Sequence, residues 1–206
     1  MKYGYYLIAL LCISFFSFTF QQEEKTTILF FGDSLTAGMG LSKEQAFPAI
    51  VQQKLNEQNK NVEVINAGLS GETSAGGLTR IDWILRKPID VFVLELGAND
   101  ALRGLPLDQT KDNLQQIIDK VKKKNPDATI VIAGMMAPPN LGTAYTDEFR
   151  SIFPKLAQDN DALLIPFLLL DVAGHEHLNL PDGIHPNVEG HKIVARNILE
   201  VLIEVL

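Results

Sequence analysis

Short apolar runs of strand length recur along this chain with amphipathic helical patterns between them, and that alternation limits the fold more than any other feature of the sequence. The runs are Thr27 to Phe31, Val62 to Ile65, Val91 to Leu96, Thr129 to Ala133 and Leu163 to Phe167. They are continuous rather than alternating, as suits strands buried on both faces of a sheet. The clearest helix is marked by Leu107, Leu114, Ile117, Ile118 and Val121, which share one face. It ends in Lys122, Lys123 and Lys124, a solvated end that complements the negative pole of the helix dipole. Further helices are expected around Pro48 to Gln58, Ala75 to Leu85, Asp147 to Gln158 and Val188 to Leu206. The pattern predicts α/β architecture, a parallel sheet with helices on both faces in a three-layer α/β/α sandwich. A length of 206 residues suits one such domain, and no repeat or long linker divides it.

Composition narrows the function. Hydrophobic residues make up 46% and charged residues 21%, an ordinary globular balance. A net charge of −7 argues against a nucleic-acid partner, which needs a basic face. The single cysteine, Cys12, lies within an N-terminal apolar segment, so the rest of the chain has no thiol for a disulfide, a thiolate nucleophile or a zinc cluster. That segment, Tyr3 to Phe20, follows Lys2 and gives way abruptly to Gln21, Gln22, Glu23 and Glu24. It reads as a cleaved signal peptide or, being about long enough to span a bilayer, as an uncleaved membrane anchor. Either way residues 1–20 would send the domain at 26–206 out of the cytoplasm, as a periplasmic, secreted or membrane-tethered protein.

In open α/β sheets, ligands bind beyond the carboxyl ends of the strands. The segments that follow the expected strands are Gly32-Asp33-Ser34, Asn66-Ala67-Gly68 running on to Gly71, Gly97-Ala98-Asn99-Asp100, and Gly134 to Tyr145. Three of these combine glycine with compact polar residues, so polar groups should gather at one edge of the sheet.

Each candidate has an ordinary reading and a chemical one. Ser34 can cap a helix, or it can be a nucleophile whose own N–H points at a developing oxyanion. Asp182-Gly183-Ile184-His185 can be a surface turn, or it can supply a base and the carboxylate that orients it. Gly71 and Asn99 can be loop residues, or donors to the tetrahedral oxygen of acyl transfer. His175 and His177 form a pair, but nothing nearby completes a metal site, so no metal or other cofactor is expected.

The four blocks Gly32-Asp33-Ser34-Leu35, Ser70-Gly71-Glu72-Thr73-Ser74, Gly97-x-Asn99-Asp100 and Asp182-x-x-His185-Pro186 occur in the order and spacing of the SGNH, or GDSL, hydrolases. From about Thr27 to its C-terminus the chain resembles that family. The string from Glu95 to Gly104, ELGANDALRG, is similar to the third block of the thioesterase and arylesterase members. The resemblance implies Ser34 as nucleophile, His185 as general base and acid, and Asp182 as its orienting partner. It implies an oxyanion hole of the Ser34 and Gly71 N–H groups with the Asn99 side chain. It also implies a flavodoxin-like, five-stranded parallel sheet in the order 2-1-3-4-5.

The function expected is hydrolysis of carboxylic esters or thioesters through an acyl-enzyme, by a monomer whose partner is a small acyl ester or lysophospholipid. Leu69, Met135, Met136, Leu141 and Leu178 are candidates to line an acyl channel, methionine being suited to varied chain shapes. The alternatives are a carbohydrate acetyl-esterase on the same fold, and a flavodoxin-like binding module without chemistry. The second lacks both GxGxxG and GxxxxGK[ST].

Overall fold

Apolar residues on both faces of each central strand leave the sheet no solvent side, so helices must cover it twice. The computed structural model describes residues 25–206, and the expected signal or anchor segment, with Cys12, lies outside the described residues. The chain order is β1 (Thr26–Gly32), α1 (Ser34–Ala37), α2 (Phe47–Glu57), β2 (Val62–Gly68), α3 (Ser74–Ile84), β3 (Val91–Glu95), α4 (Ala98–Leu102), α5 (Leu107–Lys124), β4 (Thr129–Ala133), α6 (Thr143–Asn160), β5 (Leu163–Ile165) and α7 (Val188–Leu202). All pairings are parallel, and the five strands run in the order β2-β1-β3-β4-β5. Helices α2 and α7 pack together, while α3, α5 and α6 pack in a row.

Alternate side chains of one strand serve both layers. Phe30 meets Phe47 of α2 edge to face, with ring centroids 5.5 Å apart. Its neighbour Phe31 turns the other way, toward α3 and the Phe92 ring. Both are fully buried, and each such side chain contributes roughly 1.5–3 kcal/mol of burial free energy.

Some boundaries differ from expectation, for local reasons. β5 stops at Ile165 because Pro166 has no N–H for the ladder. The Gly97 to Asp100 stretch, expected as a loop, starts the short helix α4. Helix α6 begins at Thr143, earlier than Asp147, and runs through Pro154, whose ring lies on its exposed side. The last helix gives way after Leu202 to a tight turn, Ile203–Val205, instead of continuing to Leu206.

One tie joins the two packed helices of one layer. The N-terminus of α2 has no side-chain cap of its own. Its Phe47 N–H, a donor without an intrahelical acceptor, instead donates to His191 Nδ1 of α7 at 3.1 Å, and the two rings stack. Burial, with a smaller effect of His185, drives His191 down from 6.5 to about 4, so its ring stays neutral and able to accept. Between these values the unfolded chain takes up a proton that the folded chain refuses, so stability is lost as pH falls from about 6.5 to 4. In urea unfolding at pH 7 and pH 5, His191→Gln, whose amide oxygen can accept without titrating, should lose less stability than the wild type. Equal losses would remove His191 from the acid sensitivity.

Candidate active site

The register sets Gly32 beside Gly68 on one side and Glu95 on the other, so the chain leaves three adjacent strands at one level. Nothing larger than glycine fits at position 32, where an added Cβ would lie 2.2 Å from Thr36 Oγ1 and 2.4 Å from Glu95 Oε2. Beyond it Asp33 caps α1 by accepting from the Leu35 N–H at 3.0 Å, and Ser34 is the first residue of that helix. The ordinary reading of Ser34 as the cap is thereby excluded, because its neighbour performs that task.

Ser34 Oγ lies 2.9 Å from His185 Nε2, and His185 Nδ1 lies 2.7 Å from Asp182 Oδ2. These contacts join the first strand to the last loop, across 151 positions of sequence. The loop is built for it. Asp182 Oδ1 accepts from the N–H groups of Ile184 and His185 at 2.9 and 3.0 Å, and Gly183 takes φ +70°, a left-handed conformation natural to glycine. The Leu180 N–H donates to the His185 carbonyl, and Asn179 pairs with Pro186 in a single antiparallel bridge. The His185 and Ile184 N–H groups, then the His185 ring, hold Asp182 down at about 2. An ionised Asp182 fixes the ring proton on Nδ1 and leaves Nε2 to accept from Ser34.

Asn99, on α4, joins the remaining blocks. Its Nδ2 donates to Asp33 Oδ2 at 2.9 Å and to the Glu72 carbonyl at 3.0 Å. The Gly71 carbonyl accepts from Arg103 Nη2 at 2.8 Å. Glu72 forms a two-point ion pair with Arg80, which also donates to the Ala67 carbonyl and covers the Phe31 ring at 4.2 Å. Asp100 is buried and accepts from Ser74 N–H (2.8 Å), Ser74 Oγ (2.5 Å) and Thr110 Oγ1 (3.2 Å), tying the loop after β2 to α4 and α5.

Two carboxyl groups sit behind the serine. Burial pushes Asp33 up from 3.8 to about 6, against the Leu35 and Asn99 hydrogen bonds. Burial first, and the Asp33 charge second, push Glu95 well above the usual carboxylate range.

A cavity of about 470 Å³ opens in front of Ser34 and His185. Of the acyl-channel candidates, Met135 and Met136 line it and the others do not. Leu69 stands exposed after β2, Leu141 is half-exposed on the turn Pro139–Leu141, and Leu178 packs into the hydrophobic core. The apolar wall is completed instead by Leu102, Phe167, Leu169 and Ile184. Phe167, Leu169 and Ile184 lie in irregular segments and Leu102 ends the five-residue α4, so no periodicity marks an inward side. His175 and His177 meet edge to face with centroids 5.8 Å apart. Asp33, Glu72, Asp100 and Glu95 stand within the quoted motif strings but carry no assigned role there, and Arg80 lies outside them; Glu95 has a further signal, closing an otherwise apolar strand, VFVLE.

A model of the GDSL-like Lipase/Acylhydrolase family matches residues 30–193. The chain is 35% identical over 199 residues to an arylesterase of Vibrio mimicus, covering 96% of each. It is 38% identical over 178 residues to the thioesterase 1/protease 1/lysophospholipase L1 of Escherichia coli strain K12, covering 86% of this chain and 83% of that one. Among solved structures it is similar to the psychrotrophic esterase EstA of Pseudoalteromonas sp., inhibited by monoethylphosphonate. That likeness has a TM-score of 0.82 and 33% identity, covering 87% of this chain and 98% of the other.

The Asp100 network yields a stability test. Asp100→Ala strands the buried N–H and hydroxyl of Ser74, and should lower the urea unfolding free energy by about 3 kcal/mol. A loss under about 1 kcal/mol would show that other contacts hold the loop.

Proposed function

The chain belongs to the GDSL-like lipase/acylhydrolase family and is a serine-type enzyme that hydrolyses esters, and we propose that its machinery is Ser34, His185 and Asp182 with an oxyanion hole of Ser34, Gly71 and Asn99. The observation that carries this assignment is the unbroken relay from Ser34 Oγ through the His185 ring to Asp182 at 2.9 and 2.7 Å. His185 Nε2 takes the Ser34 proton as Oγ attacks the ester or thioester carbonyl. The carbonyl oxygen gains a negative charge beside the Ser34 N–H. His185 then gives its proton to the departing alcohol or thiol, leaving an acyl-enzyme. Water, deprotonated by the same ring, repeats the sequence and frees the acid. Asp182 stays ionised throughout and stabilises the transient imidazolium.

Asn99 enters this scheme already occupied, since Nδ2 donates to Asp33 and to Glu72. Serving the oxyanion therefore requires the amide to share or release one of them. Loss of one hole donor typically costs on the order of 100 to 1,000-fold in rate. Asn99→Ala should show that fall in kcat, and normal turnover would remove Asn99 from the hole.

The apolar wall beside the serine, with Met135 and Met136, supports an acyl chain as the substrate part that enters the cavity. Medium and long acyl esters, including thioesters and lysophospholipids, are the substrates proposed. A chain-length series of esters should give kcat/KM rising from acetyl to longer chains. A sole preference for acetyl groups, above all on sugars, would favour the carbohydrate acetyl-esterase reading. For the nucleophile, an organophosphonate probe should label Ser34 in the wild type and nothing in Ser34→Ala.

Export belongs to the same reading. The apolar segment at residues 3–20 supports a periplasmic or secreted protein, released by cleavage or kept as a tether. Among the described residues no helix is long and apolar enough to cross a membrane.

A further inference from the structure

A carboxyl group that touches neither Ser34 nor the cavity stands at the base of the site. Glu95 closes β3 and is 1% exposed, and no cation pairs with it among the described residues. Its Oε2 accepts from the Asp33 N–H at 3.1 Å and from Thr36 Oγ1 at 2.7 Å, so one oxygen holds the residues on both sides of Ser34-Leu35. Its Oε1 is buried and has no hydrogen-bond partner. With Oε2 accepting twice, Oε1 is the oxygen left to carry a proton, and an ionised group would instead need a positive neighbour, because an uncompensated buried charge costs several kcal/mol. The charged and titratable groups around it are Asp33 on the turn it grips, the Arg80–Glu72 pair, whose guanidinium reaches the Gly32 carbonyl at 3.4 Å, and His185, which meets Ser34 at 2.9 Å. None neutralises Glu95 directly.

We propose that Glu95 is a positioning residue that works as an uncharged acid, clamping the turn that aims Ser34 while leaving Asp33 as the one anion that orients Asn99. The assignment deepens the esterase reading and rests on Ser34 as its nucleophile. Two buried carboxyls side by side cannot both ionise cheaply, and the more deeply enclosed one keeps the proton. Glu95 retains it, consistent with the upward push from its burial and from Asp33. Asp33 is then free to accept from the Leu35 N–H and from Asn99. An error of an ångström in the serine costs rate rather than affinity, so the residue should reveal itself in kcat.

The test compares Glu95→Gln, Glu95→Ala and Thr36→Val with the wild type, using one ester substrate and an organophosphonate. Glutamine copies a neutral carboxyl in shape and acceptor, so Glu95→Gln should keep kcat within about threefold, whereas Glu95→Ala should lose about 30-fold or more with KM little changed. Thr36→Val removes one strut without opening a cavity, and should lower kcat about fivefold even if Glu95→Ala does not fold. Isotope-edited infrared spectra at neutral pH should contain a protonated carboxylic-acid band that Glu95→Gln lacks. A Glu95→Gln enzyme as impaired as the alanine variant, an unaltered infrared band, or a Thr36→Val enzyme with wild-type kcat would each overturn the proposal. If the phosphonate fails to label even the wild type, the fault lies with Ser34 as nucleophile and not with Glu95.

Discussion

The close approach of Gly32 to Glu95, at the ends of neighbouring parallel strands, is the constraint on which the site depends. Hydrogen-bonded strands cannot slip singly, so the register that pairs these residues also sets Gly68 at the same level and starts three loops from one row. A side chain at position 32 would strike Glu95 and Thr36 together, and the turn bearing Ser34 would have to move. The precision of the serine is thus inherited from the sheet rather than from the loop that holds it.

The surrounding polar network follows from that placement. Loops that converge at a buried edge bring unpaired backbone groups with them, and those groups need partners. Glu72 and Arg80, Asp100 with Ser74 and Thr110, and Asp33 with Asn99 supply them. The same burial that makes these bonds firm shifts the acids among them, up for Asp33 and Glu95. Asp182, whose carboxylate is more exposed and accepts two backbone N–H groups, goes the other way. Three carboxyl groups in one site are therefore shifted in opposite directions, two by burial and one by hydrogen bonding.

How far the site could be read in advance varied with the kind of signal. Met135 and Met136 follow directly after β4 and were legible as cavity residues, because the strand end fixes where they must emerge. Leu69 and Leu178 carry the same apolar chemistry, yet one faces solvent and the other the core. Neither is in a regular element long enough to set a direction, so apolarity alone misplaced them. Helix α4 was hidden in Gly97 to Asp100 for a related reason: it is only five residues long, too short for a periodic stripe. Glu95 carried a visible oddity, a charge-bearing residue closing a buried strand, but its meaning required its neighbours.

The α/β architecture, with its five strands and longer helices, and the chemical blocks were written in the sequence, because each depends on local periodicity or on residue types at fixed spacing. The approach of His185 to Ser34, the occupation of Asn99 by Asp33 and Glu72, and the shared enclosure of Asp33 and Glu95 were decided only by the tertiary structure. Those relations join residues dozens to 151 positions apart. Distances and burial between such residues arise when the sheet closes its register and the helices seal it, and no local pattern encodes them.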